Sequence, residues 1–256
     1  MNLGLQDKVV LITGSSRGIG LAIAKSFLQE GANVIINARD EERLKHIADE
    51  LGHEYQGKIS FIAGNVLHDD ACNISRFIWN KFGKLDVFVA NVGNGKPETE
   101  DRLDVDEWKR FFDINVFGNV RVLRDLQELL KKGGTSSIVF VSSIVAKEVS
   151  SAPAAYAAAK SAVITLSKYL SSLWAQDGIR VNCVLPGNIY FPNGRWEELK
   201  NGDPVGVEEY INGNVPMKRF GKPEEVANAV TFLASECASF ISGAELTVDG
   251  GQLKSV

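Results

Sequence analysis

Three glycines constrain this chain more than any other feature. Gly14, Gly18 and Gly20 stand between an apolar run, Val9-Val10-Leu11-Ile12, and a segment at 21–30 whose apolar residues recur with helical spacing. Glycine lets a backbone turn sharply and approach closely whatever lies above it. A strand that ends in such a turn and opens at once into a helix leaves N–H groups unbonded in the first turn, where the helix dipole adds positive potential. Strand, glycine turn and helix together read as a site for a pyrophosphate, contacted by Gly14, Ser15, Ser16, Arg17, Gly18, Ile19 and Gly20. The alternative is a tight strand-to-helix turn with no ligand.

The pattern then repeats. Further strands are expected at 33–37, 58–63, 85–90, 137–141, 180–185 and 245–248. Helices are expected at 40–51, 69–82, 106–131, 153–176 and 223–234, with Asp40 an N-cap and Pro223 near a first turn. Several strands are apolar runs without alternation, as burial on both faces requires. This order predicts an α/β fold, a Rossmann-type doubly wound parallel sheet of about seven strands with helices on both faces. Residues 1–256 read as one dinucleotide-binding domain, and 188–216 as an insertion over its site. Gly14, Asn91, Ser143 and the pair Pro186-Gly187 all fall at carboxyl ends of strands, where such sheets bind ligands.

Other classes fit poorly. The net charge is -4 with no long basic run, which argues against nucleic acid as a partner. Cys72, Cys183 and Cys237 are far apart, and His46, His53 and His68 lack ligand spacing, so neither a disulfide framework nor a metal site is expected. No apolar run is long enough to span a bilayer, and no signal peptide precedes the first strand. A soluble protein of the reducing cytoplasm is the expectation.

Two local features suggest chemistry. Tyr156 and Lys160 are four apart within a helical pattern, hence one turn apart on one face. A tyrosine with a pKa of about 10 is a poor acid or base at neutral pH. A neighbouring ammonium is expected to lower that pKa and make the pair a proton-transfer device. The second feature is the end of the second strand, Asn37-Ala38-Arg39. A site for NAD usually places an acid there for the ribose hydroxyls. Arg39 and Arg17 suit a ribose phosphate instead, which predicts NADP(H) over NAD(H).

With these pieces in place, the chain resembles the short-chain dehydrogenase/reductase family, in its compact branch, over essentially its whole length. The matching segments are 13–20, Asn115, Ser142-Ser143, Tyr156-Ala157-Ala158-Ala159-Lys160, Pro186-Gly187 and 248–251. The resemblance implies a catalytic tetrad of Asn115, Ser143, Tyr156 and Lys160. Tyr156 would protonate a carbonyl oxygen that Ser143 holds. Lys160 would tune the tyrosine and hold the nicotinamide ribose, and Asn115 would hold a water linking Lys160 to solvent. It also implies cofactor contacts from Asn65, Val66, Asn91, Gly93, Pro186, Gly187 and Ile189, and a homotetramer. Enoyl reductases of this fold usually separate Tyr and Lys more widely.

Three places depart from the family. Ala90-Asn91-Val92-Gly93 replaces a common N-N-A-G, and Asn65-Val66 a common Asp-Val near the adenine. The third is larger: Phe191 falls where a Thr commonly meets the nicotinamide end, in the run 188–196 that also holds Tyr190, Arg195 and Trp196. Those aromatic residues either wall a substrate pocket or pack the loop onto its surroundings. The expected substrate is a small carbonyl or alcohol, a 3-oxoacyl thioester on the commonest pattern and a sugar or polyol as the alternative. A carrier-bound acyl group would want a basic docking patch, for which Lys8, Arg102, Lys109, Arg110, Arg121 and Arg124 are available.

Overall fold

The computed structural model describes residues 2–67, 70–149 and 152–255. Seven parallel strands form one sheet in the order β3-β2-β1-β4-β5-β6-β7. They are β1 (Val9–Thr13), β2 (Asn33–Ala38), β3 (Ile59–Ala63), β4 (Val87–Ala90), β5 (Ser136–Val141), β6 (Ile179–Pro186) and β7 (Glu245–Val248). The helices on one face are α1 (Gly18–Gln29), α2 (Glu41–Glu54) and α9 (Pro223–Ala234). The other face carries α3 (Asp70–Phe82), α4 (Val105–Phe112), α5 (Gly118–Lys132) and α6 (Ala154–Leu173). The expected fold class is therefore the observed one.

The two-residue period of the strands divides the core. Val10 and Ile12 of β1 point to a layer with Ile23, Phe27, Leu44 and Val230. Val9 and Leu11 point to the opposite layer with Ile78, Leu126 and Val163. Phe88 and Phe140 are wholly buried there, and truncating either to Ala would cost about 3–5 kcal/mol. Because every strand runs the same way, both layers hold the carboxyl ends of the strands along one edge. Helix α2 starts where expected, with the Asp40 carboxylate accepting from the Arg43 N–H at 3.0 Å.

Two expectations need correction. The segment 106–131 is not one α-helix. It is α4 and α5 joined by a π turn, Asp113–Phe117. The Phe111 carbonyl accepts the Asn115 side-chain amide at 2.9 Å, and the Asn115 carbonyl accepts that of Asn119 at 2.9 Å. Side-chain amides thus reach carbonyls that an α-helix serves from its backbone, and the helix widens at Asn115. Likewise, the helix expected at 153–176 ends at Leu173, where buried Trp174 turns the chain toward Gly178 and β6. The insertion at 188–216 contains α7 (Arg195–Gly202) and α8 (Pro204–Asn214). His68 and Asp69 lie outside the described residues.

Candidate active site

The loops that follow the strands surround a cleft of about 560 Å³. The glycine turn forms its floor. Gly14 and Gly18 have φ of 66° and 55°, the left-handed region that glycine tolerates. A Cβ on Gly20 would stand 2.4 Å from the Gly14 carbonyl oxygen, so the turn closes only without one. Asn91, after β4, donates its amide to the carbonyls of Thr13 (3.1 Å) and Gly14 (3.0 Å), bracing the turn from the side. Gly14, Ser16, Arg17, Ile19 and Gly20 line the cleft. Ser15 does not: it is buried, its hydroxyl donating to Ile12 O and accepting from the Asn37 N–H. Gly18 meets the ring of Phe191, 2.7 Å from where its Cβ would stand.

At the end of β2 the cleft is basic. Arg39 is exposed and lines it beside Ala38 and Asp40. Arg17 turns the other way, donating to the Asn193 carbonyl at 2.9 Å. The second arginine at this end is Arg43, whose Nε donates to the Ser16 carbonyl at 2.9 Å. Sequence reading missed it. The available signal was its place in the first turn of α2, three residues after the N-cap. Asn65 lines the wall beyond, its Oδ1 accepting from the Leu67 N–H, and Val66 is buried beside Gly118. Cramped glycines, exposed backbone at a helix start and two arginines suit a phosphorylated dinucleotide.

At the other end stand the tetrad residues. Ser143 follows β5, its hydroxyl accepting from the Val145 N–H at 3.4 Å, and it lines the cleft together with Tyr156. Ser142 faces inward instead, donating to the Lys160 carbonyl at 2.8 Å. Lys160 is 3% exposed and its Nζ donates to the Val141 carbonyl at 3.0 Å. Gly93 lets Lys160 and Asn115 come close, for a Cβ there would lie 2.8 Å from Nζ and 2.9 Å from Asn115 Oδ1. Asn115 is buried. Its Oδ1 accepts from the Asn94 N–H and its Nδ2 donates to the Asn94 carbonyl, both at 3.2 Å. The π turn thereby fixes the loop after β4 against the cleft. Pro186, Gly187 and Ile189 line the near wall.

The electrostatics differ from the expectation for Tyr156. Burial pushes its hydroxyl up to about 12, against a smaller lowering by the Ser143 hydroxyl. Lys160 does not lower it here. Its own burial brings the ammonium down to about 8, and its Nζ sits 5.8 Å from the tyrosine ring centre. Desolvation therefore outweighs charge, and burial favours the neutral form of both groups.

The insertion covers this end, and its aromatic residues do both things expected as alternatives. Phe191 packs on the glycine turn at Gly18 and on Gly194. Trp196 lines the cleft while stacking on Tyr210 (5.4 Å, 29°) and meeting Phe220 (5.2 Å). Across the mouth, Lys96 pairs with Glu198 at 2.7 Å, and Arg195 with the same carboxylate at 3.2 Å. The basic side chains considered for carrier docking are mostly engaged: Lys109 with Asp106, Arg110 with Glu107, Arg121 with Asp113 and Arg124 with Asp125. Lys8 pairs with Glu236.

Comparison with known proteins adds an independent line. A family model described as enoyl-(acyl carrier protein) reductase matches residues 14–252. A 3-oxoacyl-[acyl-carrier-protein] reductase of Chlamydia muridarum is 38% identical over 255 residues, covering 98% of this chain and 99% of that protein. The L-fucose dehydrogenase of Bos taurus is 34% identical, covering 95% and 88%. Among solved structures, L-sorbose reductase from Gluconobacter frateurii, complexed with NADPH and L-sorbose, superposes with a TM-score of 0.92 at 34% identity, covering 100% of both chains.

Proposed function

The chain belongs to the short-chain dehydrogenase/reductase family, and on that premise we propose how its residues divide the reaction. The protein is an NADP(H)-dependent oxidoreductase that interconverts a carbonyl and a secondary alcohol. The observation that carries this reading is that Ser143, Tyr156 and Lys160 line the same cleft as the glycine turn. The nicotinamide, when bound, supplies or accepts the hydride. Tyr156, protonated at neutral pH, donates to the carbonyl oxygen in the reducing direction. Ser143 donates a hydrogen bond to the same oxygen as negative charge develops. The Lys160 ammonium offsets the charge left on Tyr156. Asn115 holds the loop at Asn94 that closes the pocket over them. Arg39 and Arg43 hold the ribose phosphate, and the turn at 14–20 the pyrophosphate. The whole chain acts as one domain, with 188–216 as its substrate cover.

The leading substrate is a 3-oxoacyl thioester, supported by the similarity to the Chlamydia muridarum reductase. The four-residue spacing of Tyr156 and Lys160 favours carbonyl over enoyl reduction, despite the description of the matched family model. A second reading, a keto sugar or polyol, is favoured by two observations. The basic side chains around α4 and α5 are engaged in ion pairs, which weakens a carrier-docking patch. Trp196, stacked on Tyr210, offers a flat apolar surface in the lining of the cleft. A screen following NADPH absorbance with acetoacetyl thioesters, keto sugars and simple ketones separates the two by kcat/KM. Tight NADPH binding with no turnover on any of them would leave a non-catalytic nucleotide-binding protein.

The same reading includes a homotetramer acting in the cytoplasm. Phe117, Val120, Tyr169 and Leu173 are 49%, 41%, 67% and 55% exposed on the π turn, α5 and α6. Apolar side chains that far out of water invite a second copy. Light scattering at working concentration should give a tetramer, and a monomer would contradict it.

A further inference from the structure

Residues 249–253 fold back against the segment that follows α8. Asp249 accepts from the N–H groups of Gly251 (2.9 Å) and Leu253 (2.6 Å). Gly250 and Gly251 both have left-handed φ, 67° and 82°, and pack against Val215, Pro216 and Met217 after α8. Two such glycines in succession reverse the chain where a side-chained residue would be strained. The reversal sends the next side chain, Gln252, inward, and it is 7% exposed.

The partners of Gln252 are all parts of the cover. Its Oε1 accepts from the Asn188 amide at 2.7 Å, and its Nε2 donates to the Tyr210 hydroxyl at 3.4 Å. Asn188 begins the loop after β6, and its carbonyl accepts from the Gly221 N–H at 2.9 Å. Tyr210 on α8 stacks on Trp196, which lines the cleft. Phe220, next to Gly221, meets the ring of Trp196 at 5.2 Å. The loop after β6 and helix α8 therefore both reach Trp196, and the side chain joining the two beneath it is Gln252. A buried amide bonded at both ends costs more to disturb than an exposed one, because each partner left behind is stranded away from water.

We propose that Gln252 is a positioning residue for substrate: by tying Asn188 to Tyr210 it sets where Trp196 stands in the cleft, and so which carbonyl compounds fit. This rests on the carbonyl-reductase reading of the same site. The hydrogen bonds of the Gln252 side chain go to neither the tetrad residues nor the glycine turn, so its effect falls on substrate and spares the cofactor.

The test uses the full-length protein with Gln252→Leu, which keeps the bulk and removes both hydrogen bonds, and Gln252→Glu, which keeps two acceptors for the Asn188 amide and the Tyr210 hydroxyl. Steady-state kinetics are run on the best carbonyl substrate and on a bulkier one, with NADPH affinity measured by fluorescence. Tryptophans are labelled as 5-fluorotryptophan, and the Trp196 signal is assigned with Trp196→Phe among the four in the chain. Gln252→Leu should raise KM about fivefold or more, with kcat changed less and the ratio of kcat/KM between the two substrates altered. NADPH affinity should stay within twofold, and the fluorine signal of Trp196 should move while those of Trp79, Trp108 and Trp174 stay. Gln252→Glu should recover most of the KM. An unmoved Trp196 signal, or an unchanged KM for both substrates, would overturn the proposal. So would equal losses of NADPH affinity and thermal stability, the mark of a merely structural residue. If the Trp196 signal moves but the wild-type protein reduces no carbonyl, the reductase reading fails and the positioning by Gln252 stands.

Discussion

The wall that carries Tyr156 and the cover that faces it are held by different forces. On the wall, Lys160 and Asn115 are buried and bonded to backbone: Lys160 to the Val141 carbonyl, Asn115 to Asn94 and Phe111. On the cover, Lys96, Arg195 and Glu198 pair across the mouth at about half exposure, and rings lean on one another. Losing a buried hydrogen-bond partner costs about 1–3 kcal/mol, whereas an exposed ion pair contributes about 0–1 kcal/mol. The wall is thus held more firmly than the cover that faces it.

That contrast can be broken most directly at Tyr156. Replacing it by Phe should lower kcat by about 10²–10⁴-fold, the usual worth of a positioned acid, with NADPH affinity retained. A variant that turns over at the wild-type rate would take Tyr156 out of the reaction. The next effect belongs to the cofactor. Converting Arg39 and Arg43 together to Ala should weaken NADPH binding by about 10–100-fold, from charge-assisted bonds of about 1.5–3 kcal/mol, and leave NADH affinity unchanged. Calorimetry with both cofactors decides it, and an equal loss for NADH would place those arginines outside the phosphate site.

The wall also has a pH signature. Burial lowers Lys160 to about 8, so its charge is present below that pH and lost above it. Tyr156, raised to about 12, keeps its proton throughout. kcat/KM for carbonyl reduction should therefore fall by about tenfold per pH unit above about 8, and a profile flat to pH of about 10 would contradict this. The cover should respond less. Glu198→Gln removes two exposed ion pairs and should change KM by less than about fivefold, an effect that salt titration of the wild type should mimic. The smallest response concerns thiols. A chromogenic disulfide should modify exposed Cys72 and Cys237 in the folded protein without loss of activity. Cys183, buried beside Lys160 and pushed up to about 12, should react only on unfolding.

Much of the wall was legible in the sequence because its determinants are local. Glycine spacing, the apolar runs of β1 to β6 and the four-residue step from Tyr156 to Lys160 each act over a few positions. Even there, one inference failed. Sequence places an ammonium near Tyr156 but says nothing of how dry both groups are, and dryness decides their protonation. The cover was harder because its contacts are distant in sequence. Trp196 meets Tyr210 and Phe220, Arg17 reaches Asn193, and Gln252 reaches back to Asn188. Arg43 was missed for a third reason: whether a polar residue of α2 faces the cleft or water depends on the helix's phase relative to the sheet.

The π turn at Asp113–Phe117 carries a consequence for chain length. An α-helix accommodates about 3.6 residues per turn, so one surplus residue held without breaking the helix rotates all that follows by roughly 100° about the axis. The apolar stripe of α5, with Leu123, Leu126 and Leu130 against the sheet, is in phase with the core only because that surplus is there. Deleting a single residue between 113 and 117 would restore a regular helix and swing this stripe away from the sheet. An insertion of one residue in a neighbouring surface loop carries no such coupling. This part of the chain is therefore intolerant of changed length.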